Sequence, residues 1–261
     1  MTQKNILHVV AGIIFNEEGL ILLSSRPEGK SHAGFWEFAG GKVEAKETEF
    51  EALKRELLEE LNIEVIEALP WLTKKHEYEH HYVYLHFFWV TRWQGVPQMK
   101  EQQQISWQNP LNLTVGPMLE ANEPILKALS IPRCFFGHPT TQLQGSLFSH
   151  QLILKPSNHA TADSGLLLNP EELHKLKTKP KSHQWVVAQI NTPQEWEKCA
   201  QLKLDAAVLS ITNIQELHTM FEALKNNMPT ALIVNPTEPI HTKQILNQYA
   251  CSIVEGNQWT S

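Results

Sequence analysis

The stretch Gly41-Lys42-Val43-Glu44-Ala45-Lys46-Glu47-Thr48-Glu49-Phe50-Glu51-Ala52-Leu53-Lys54-Arg55-Glu56-Leu57-Leu58-Glu59-Glu60-Leu61-Asn62-Ile63 decides how the first half of the chain is read. Thr48 followed three residues later by Glu51 is a capping-box arrangement and predicts the start of a helix. Phe50, Leu53, Leu57 and Leu61 recur at spacings of three and four, which makes one apolar stripe. The helix is expected to end near Asn62, the non-glycine residue type that best tolerates a left-handed closing position. At about 100° per residue, Glu59 and Glu60 fall within about 60° of Glu56, so three carboxylates share one face beside the stripe. Their mutual repulsion is most simply offset by a divalent cation; the alternative is a solvated acidic face with pairs such as Glu51 with Arg55 and Arg55 with Glu59.

Reading outward, the spacing is Gly41, five residues, Glu47, seven residues, then Arg55 to Ile63. This resembles the Nudix box, GX5EX7REUXEEXGU with U a bulky aliphatic residue, at every specified position but one: Asn62 stands in place of the second Gly. The resemblance implies an α/β/α sandwich with a mixed sheet. It also implies hydrolysis of a nucleoside diphosphate linked to another moiety, with Mg2+ or Mn2+ as cofactor. In these terms Glu56, Glu59 and Glu60 hold metal and the carbonyl of Gly40 adds an oxygen. Arg55 fixes the carboxylates by ion pairing, and Glu47 supports the loop-helix geometry. Hard oxygen ligands suit Mg2+, which neutralises phosphate oxygens and lowers the pKa of an attacking water.

Similarity extends over roughly residues 5 to 130 and looks most like the MutT branch of that family, which hydrolyses 8-oxo-dGTP in nucleotide-pool sanitation, a part of DNA repair and replication. It is carried by Val10 to Ile14, Arg26 to Lys30, Gly34 to Glu44, His76-Glu77-Tyr78 and Glu120 to Pro124. The resemblance assigns Asn122 to purine recognition, since an amide donates and accepts together. It assigns Phe38 to the base pocket, and Arg26 with the backbone of Glu37 to Gly40 to substrate binding. Ser31 stands where the branch usually has His, and Ala39 where it usually has Pro. Glu101 aligns with a further carboxylate near the metals and is the second candidate for general base beside Glu56. Read without the family, Asn122 is equally a helix cap, Phe38 a core residue and Arg26 a surface charge. The histidines His76, His80, His81 and His86 invite a zinc reading, but strand alternation sends His80 and His81 to opposite faces, which argues against it.

Other elements follow from pattern. Ile6 to Phe15 and Leu20 to Ser24, joined by Asn16 to Gly19, predict a β-hairpin; Phe35 to Phe38, Trp71 to Tyr78 and His81 to Trp93 predict strands; Pro124 to Leu129 predicts a short helix. Beyond a linker at Ile131-Pro132, short apolar runs alternate with amphipathic ones. Strands are expected at Cys134 to Phe136, Gln151 to Leu154, Gly165 to Leu168, Trp185 to Ile190, Ala206 to Ile211, Thr230 to Val234 and Ser252 to Val254. Helices are expected at Pro170 to Leu176, Gln194 to Leu202, Ile214 to Asn226 and Thr242 to Tyr249. Such βα units imply a parallel sheet or barrel, here with seven strands where a closed βα barrel has eight. The fold class is therefore α/β throughout, with a domain at 1–131 and an incomplete or degenerate TIM-like βα barrel at 132–261. Gly165 to Leu168, Glu171 to Leu173, Trp185 to Ala188 and Asp205 to Ser210 give the second domain a resemblance to thiamine-phosphate-synthase-like domains. No glycine occurs between Leu166 and Glu255 to build a phosphate loop, and the loop after Val234 contains Pro236, so the expectation is a catalytically inactive domain.

Across 261 residues the net charge is −6, with 42% hydrophobic and 19% charged residues, the composition of a globular protein that does not coat nucleic acid. The apolar runs fall short of the roughly 20 residues a membrane helix needs, and no signal-peptide pattern opens the chain. The expectation is a cytoplasmic monomer with a nucleoside triphosphate substrate, no stable nucleic-acid binding and no membrane. Cys134, Cys199 and Cys251 fit neither a disulfide framework nor a CxxC metal site. Residues 44 to 67 hold nine Glu against Lys46, Lys54 and Arg55, so the whole net charge is localised there.

Overall fold

The computed structural model describes residues 5–77, 81–98, 100, 103–224, 231–237, 245–246 and 248–255. Two compact units divide the chain, Met1–Lys127 and Ala128–Ser261.

In the first unit the elements are β1 (Asn5–Ile14), β2 (Ile21–Ser25), β3 (Trp36–Glu37), β4 (Gly40–Lys42), α1 (Glu49–Leu61), β5 (Glu64–Glu77), β6 (His81–Gln94) and β7 (Ile105–Gln108), and a 3-10 turn at Glu120–Asn122 leads into α2 (Glu123–Leu129), which runs across the boundary. One sheet has the order β4-β1-β6-β5 and a second β3-β2-β7. The first is mixed, because β1 runs parallel to β6 while the outer pairs are antiparallel. The hairpin expected of β1 and β2 is not formed. Its turn exists, with Gly19 N–H donating to the Asn16 carbonyl at 3.0 Å, and Phe15 bridges Ile21. Beyond that bridge both edges of β1 are taken by β4 and β6, so β2 passes into the other sheet. Strand β5 begins at Glu64, well before the Trp71 expected from pattern. It is an edge strand with register shifts, the setting in which Pro70 is tolerated.

Helix α1 forms as its sequence requires. The Thr48 side chain accepts from Glu51 N–H, the Glu51 carboxylate accepts from Thr48 N–H at 2.7 Å, and Asn62 closes the helix at φ 59°, ψ 31°. Leu53, Leu57 and Leu61 are fully buried against Val10, Ile14, Val65, Phe88 and Val90, each contributing roughly 1.5–3 kcal/mol. The helix lies so close on β1 that a Cβ at Gly12 would stand 2.8 Å from Leu57 Cδ1. The acidic face beside the stripe is turned toward the Gly40-Gly41 backbone.

The second unit holds β8 (Cys134–His138), β9 (Gln142–Leu147), β10 (His150–Pro156), β11 (Gly165–Leu168), α3 (Pro170–Lys175), β12 (Val186–Ile190), α4 (Pro193–Gln201), β13 (Ala206–Ile211), α5 (Ile214–Leu224), β14 (Ala231–Pro236) and β15 (Ser252–Glu255). They form a closed barrel in the order β10-β11-β12-β13-β14-β15-β8-β9. The seven expected strands are all present and mutually parallel around the ring from β10 to β8. An incomplete barrel is nevertheless the wrong expectation. An eighth strand, β9, runs antiparallel to both β8 and β10 and closes the circle, so the architecture is not a plain βα repeat. No helix joins β10 to β11. Of the helix expected at Thr242 to Tyr249, Ile245, Leu246 and Gln248 are helical and residues 242–244 and 247 lie outside the described residues. Alternate strand residues sort into two cores: Phe135, Leu143, Leu152, Leu154, Val187, Val208 and Ile233 in one, and Leu166, Leu168, Val186, Leu209 and Val234 with Trp196 and Leu217 of the helices in the other. The three cysteines are free, Cys199 and Cys251 buried. Among the described residues no helix is long and apolar enough to cross a membrane.

Candidate active site

Arg55 organises the acidic face of α1. Its Nε and Nη2 hold Glu47 at 3.2 and 2.6 Å, Nη2 also donates to the Lys42 carbonyl at 3.0 Å, and Nη1 reaches Glu56 at 2.8 Å and Glu59 at 3.4 Å. One planar guanidinium thus ties the loop after β4 to two carboxylates of the helix, a task its fork geometry suits. Bonding to Glu47 and then Glu56 holds Arg55 well above its ordinary pKa, and the same Arg55 bond holds Glu47 below its own. Glu56 is 15% exposed, while Glu59 is 58% exposed and turned outward.

Glu60 lies deeper. Its carboxylate accepts from Gly40 N–H at 3.3 Å and from Gln103 Nε2 at 3.5 Å. Burial, reinforced by the charge on Glu56 and opposed by the Gly40 bond, pushes its pKa up to about 7. Gly40 and Gly41 make this approach possible. A Cβ at Gly40, where φ is 154°, would strike the backbone of Val10; a Cβ at Gly41 would fall on the Glu56 carboxylate. Glu60 meets the Gly40 backbone, Glu56 lies against Gly41 and Glu59 stands outside them, and carboxylate oxygens of this kind are the donor type that suits a hard divalent cation. Gly41→Ala should leave melting nearly unchanged but displace Glu56 and lower turnover by about 10²-fold, measured as initial rates in saturating Mg2+.

The residues assigned to substrate are dispersed over β2, β3 and the following segments. Arg26 grips both Glu37 oxygens at 3.0 and 2.8 Å and donates through Nε to the Ser31 carbonyl at 2.8 Å. Burial raises the Glu37 pKa despite that partner. The Ser31 side chain is exposed and bonds His32 Nδ1 at 2.8 Å. Phe38 is 4% exposed and meets Phe87 edge-on at 6.1 Å between ring centres, a core position. Asn122 ends the 3-10 turn, is only 6% exposed, and among the described residues nothing hydrogen-bonds its side-chain amide, so it does not cap α2. Glu101 lies outside the described residues.

Two features escape sequence reading. Gln103, 4% exposed, leaves Oε1 without a partner beside Glu60; its Gln-rich surroundings read only as a loop. His86 meets His8 and Glu49, because β1 lies beside β6; His80 lies outside the described residues. Burial pushes the His86 imidazole down to about 4.

Residues 10–128 match the NUDIX domain family, and the chain belongs to that family as a Nudix hydrolase. The CTP pyrophosphohydrolase of Escherichia coli K12 is 39% identical over 122 residues, covering 47% of this chain and 90% of that protein. The 8-oxo-dGTP diphosphatase of Haemophilus influenzae is 40% identical over 127 residues, covering 49% of this chain and 93% of that protein. The solution structure of the Escherichia coli ORF135 protein has 37% identity and a TM-score of 0.44, covering 49% of this chain and 90% of that one.

Proposed function

We propose that the first unit is a Mg2+- or Mn2+-dependent pyrophosphohydrolase that converts 8-oxo-dGTP to 8-oxo-dGMP and pyrophosphate. The carrying observation is the acidic face of α1, where Glu56, Glu59 and Glu60 stand ordered by Arg55 and by the Gly40-Gly41 backbone. When bound there, the cation neutralises phosphate oxygens and lowers the pKa of water. Glu56, Glu59, Glu60 and the Gly40 carbonyl are the holding groups in this reading, with Glu101 a further one. Glu56 or Glu101 takes the proton of the attacking water. Attack at the β-phosphorus breaks its bond to the oxygen bridging to the α-phosphate, which stays with the monophosphate as pyrophosphate departs.

The nearly buried Asn122, whose side-chain amide has no protein partner among the described residues, supports base recognition, since it is available to a base edge that donates and accepts. Arg26, Ser31, Glu37 and Phe38 complete the proposed substrate site, Phe38 as the wall behind the base. The second reading is CTP, favoured by the 39% identical CTP pyrophosphohydrolase, and an amide reads a pyrimidine edge as readily. A panel of 8-oxo-dGTP, dGTP, CTP and dCTP with Mg2+ decides: kcat/KM highest for 8-oxo-dGTP is expected, and faster turnover of CTP would replace the first reading with the second. Asn122→Ala should raise KM for the preferred nucleotide by about 10-fold or more with a smaller change in kcat.

For residues 132–261 we propose a non-catalytic thiamine-phosphate-synthase-like domain. Helix N-termini at the strand ends of such barrels are the usual anion sites. Here Glu172 accepts from Asn169 N–H, Glu195 from Asn191 and Thr192 N–H, and Glu216 from Thr212 N–H, while Asn169, Thr192 and Asn213 accept from the returning N–H groups. Carboxylates thus stand where a phosphate would, and α3 and α4 each open with proline, which has no N–H to offer. Calorimetry with thiamine phosphate and with pyrophosphate is expected to show no saturable binding by this unit; clear binding lost on substituting its residues would reverse the assignment.

A further inference from the structure

His8 on β1 and His86 on β6 lie on the same face of the mixed sheet, diagonal in register because Val10 stands opposite His86. Their rings are within 13° of parallel, with His8 Nδ1 2.9 Å from His86 Nε2. Glu49, the first residue of α1, brings Oε1 to 3.4 Å from the same Nε2. The three potential ligand atoms all lie within 4.8 Å of one another. Two imidazole nitrogens and a carboxylate oxygen therefore converge on one small volume. In the metal-free protein one proton lies between the two ring nitrogens, and the single in-plane position of His86 Nε2, N–H or lone pair, is taken up with His8 Nδ1.

Ligand atoms about 2.0–2.1 Å from a tetrahedral ion stand about 3.4 Å apart. The His86–Glu49 separation already has that value, and the His8–His86 pair needs to open by about 0.5 Å as the shared proton leaves. On the far side of the His86 ring, Nδ1 is 3.4 Å from Thr73 Oγ1, an outer partner that can accept from Nδ1–H when Nε2 coordinates. The exposed His8 leaves a solvent-facing side for a fourth, water ligand.

We propose that His8, His86 and Glu49 form a second cation site, specific for Zn2+ or a similar nitrogen-preferring transition metal. It is distinct from the acidic face of α1. Glu49 precedes Glu56 by about 10 Å along the helix axis, and the donor chemistry differs, nitrogen-rich here against all-oxygen there. An ion at this position ties β1, β6 and the first turn of the catalytic helix together.

The test uses the full chain, stripped with chelator and then kept in excess Mg2+ so that the oxygen site is saturated. Zn2+ is titrated by calorimetry, and Co2+ is followed by its visible absorption. One equivalent of Zn2+ is expected, with a Co2+ spectrum of four-coordinate nitrogen and oxygen ligation and a rise in Tm on binding. His8→Gln, at an exposed position that does not endanger folding, should weaken Zn2+ at least 10-fold and remove the Co2+ bands; His86→Asn should do the same. Zn2+ stoichiometry and affinity unchanged in His8→Gln would overturn the proposal, as would a wild-type chain that takes up no Zn2+ in the presence of Mg2+.

Discussion

Glu60→Gln will reduce Mg2+-dependent turnover by at least about 10²-fold while making the metal-free protein more heat-stable at neutral pH. The two effects have one cause. Burial raises the Glu60 pKa from an ordinary 4.5 to about 7, so the fold disfavours the charge that a cation needs. For a carboxyl group whose folded pKa lies above its unfolded one, the folded state binds the extra proton. The stability that the neutral Glu60 carboxyl contributes in chelator is therefore full below about 4.5, declines as pH rises to about 7, and then levels off. Gln keeps the neutral shape and removes that decline. In chelator the Tm of the variant minus that of the wild type should widen from pH 4.5 to about 7 and then hold, the neutral buried His86 adding the same opposite trend to both, and saturating Mg2+ should raise wild-type Tm at pH 8 while leaving the variant nearly unmoved. Near-normal turnover by Glu60→Gln would rule out Glu60 as a metal ligand.

Arg55→Ala will be almost as damaging through geometry alone. The guanidinium touches Glu47, Glu56, Glu59 and the Lys42 carbonyl, and no substrate contact is assigned to it. Its removal leaves Glu56 and Glu59 repelling one another with no fixed position. The expectation is a fall in kcat of about 10²-fold, a smaller change in KM, and weaker Mg2+ activation measured as the concentration giving half-maximal rate. Arg55→Lys should recover little, because one ammonium cannot span Glu47, Glu56 and a backbone carbonyl together. Full recovery by Lys would show that charge, not the fork, is what the site uses.

What could be read from sequence was what local chemistry determines. Thr48 and Glu51 announce the start of α1, Asn62 its end, and the leucine stripe the face it buries, because each is decided within four residues. The seven parallel strands of the second unit were legible for the same reason. Choices between distant partners were not. Nothing near Ile14 says that both edges of β1 are already taken, so local pattern points to a hairpin with β2 that the fold does not form. Strand β9 was hidden by its polar residues: only Leu143 and Gly145 turn inward, and its Thr, Gln and Ser neighbours read as a loop. In the candidate site, the spacing from Gly41 to Glu60 carried the acidic face. It could not show that Gln103 reaches Glu60 across 43 positions, or that His86 would meet His8 across 78.

The strand that sequence reading missed has a consequence for how the second unit meets other molecules. Without β9, strands β8 and β10 would each expose a row of unpaired backbone donors and acceptors, a template for any passing extended segment. With it, every strand of the ring has two neighbours, and the barrel offers no edge to zip onto. A partner that grips this unit must do so through side chains and loops, and strand exchange between copies of the barrel requires opening the ring first.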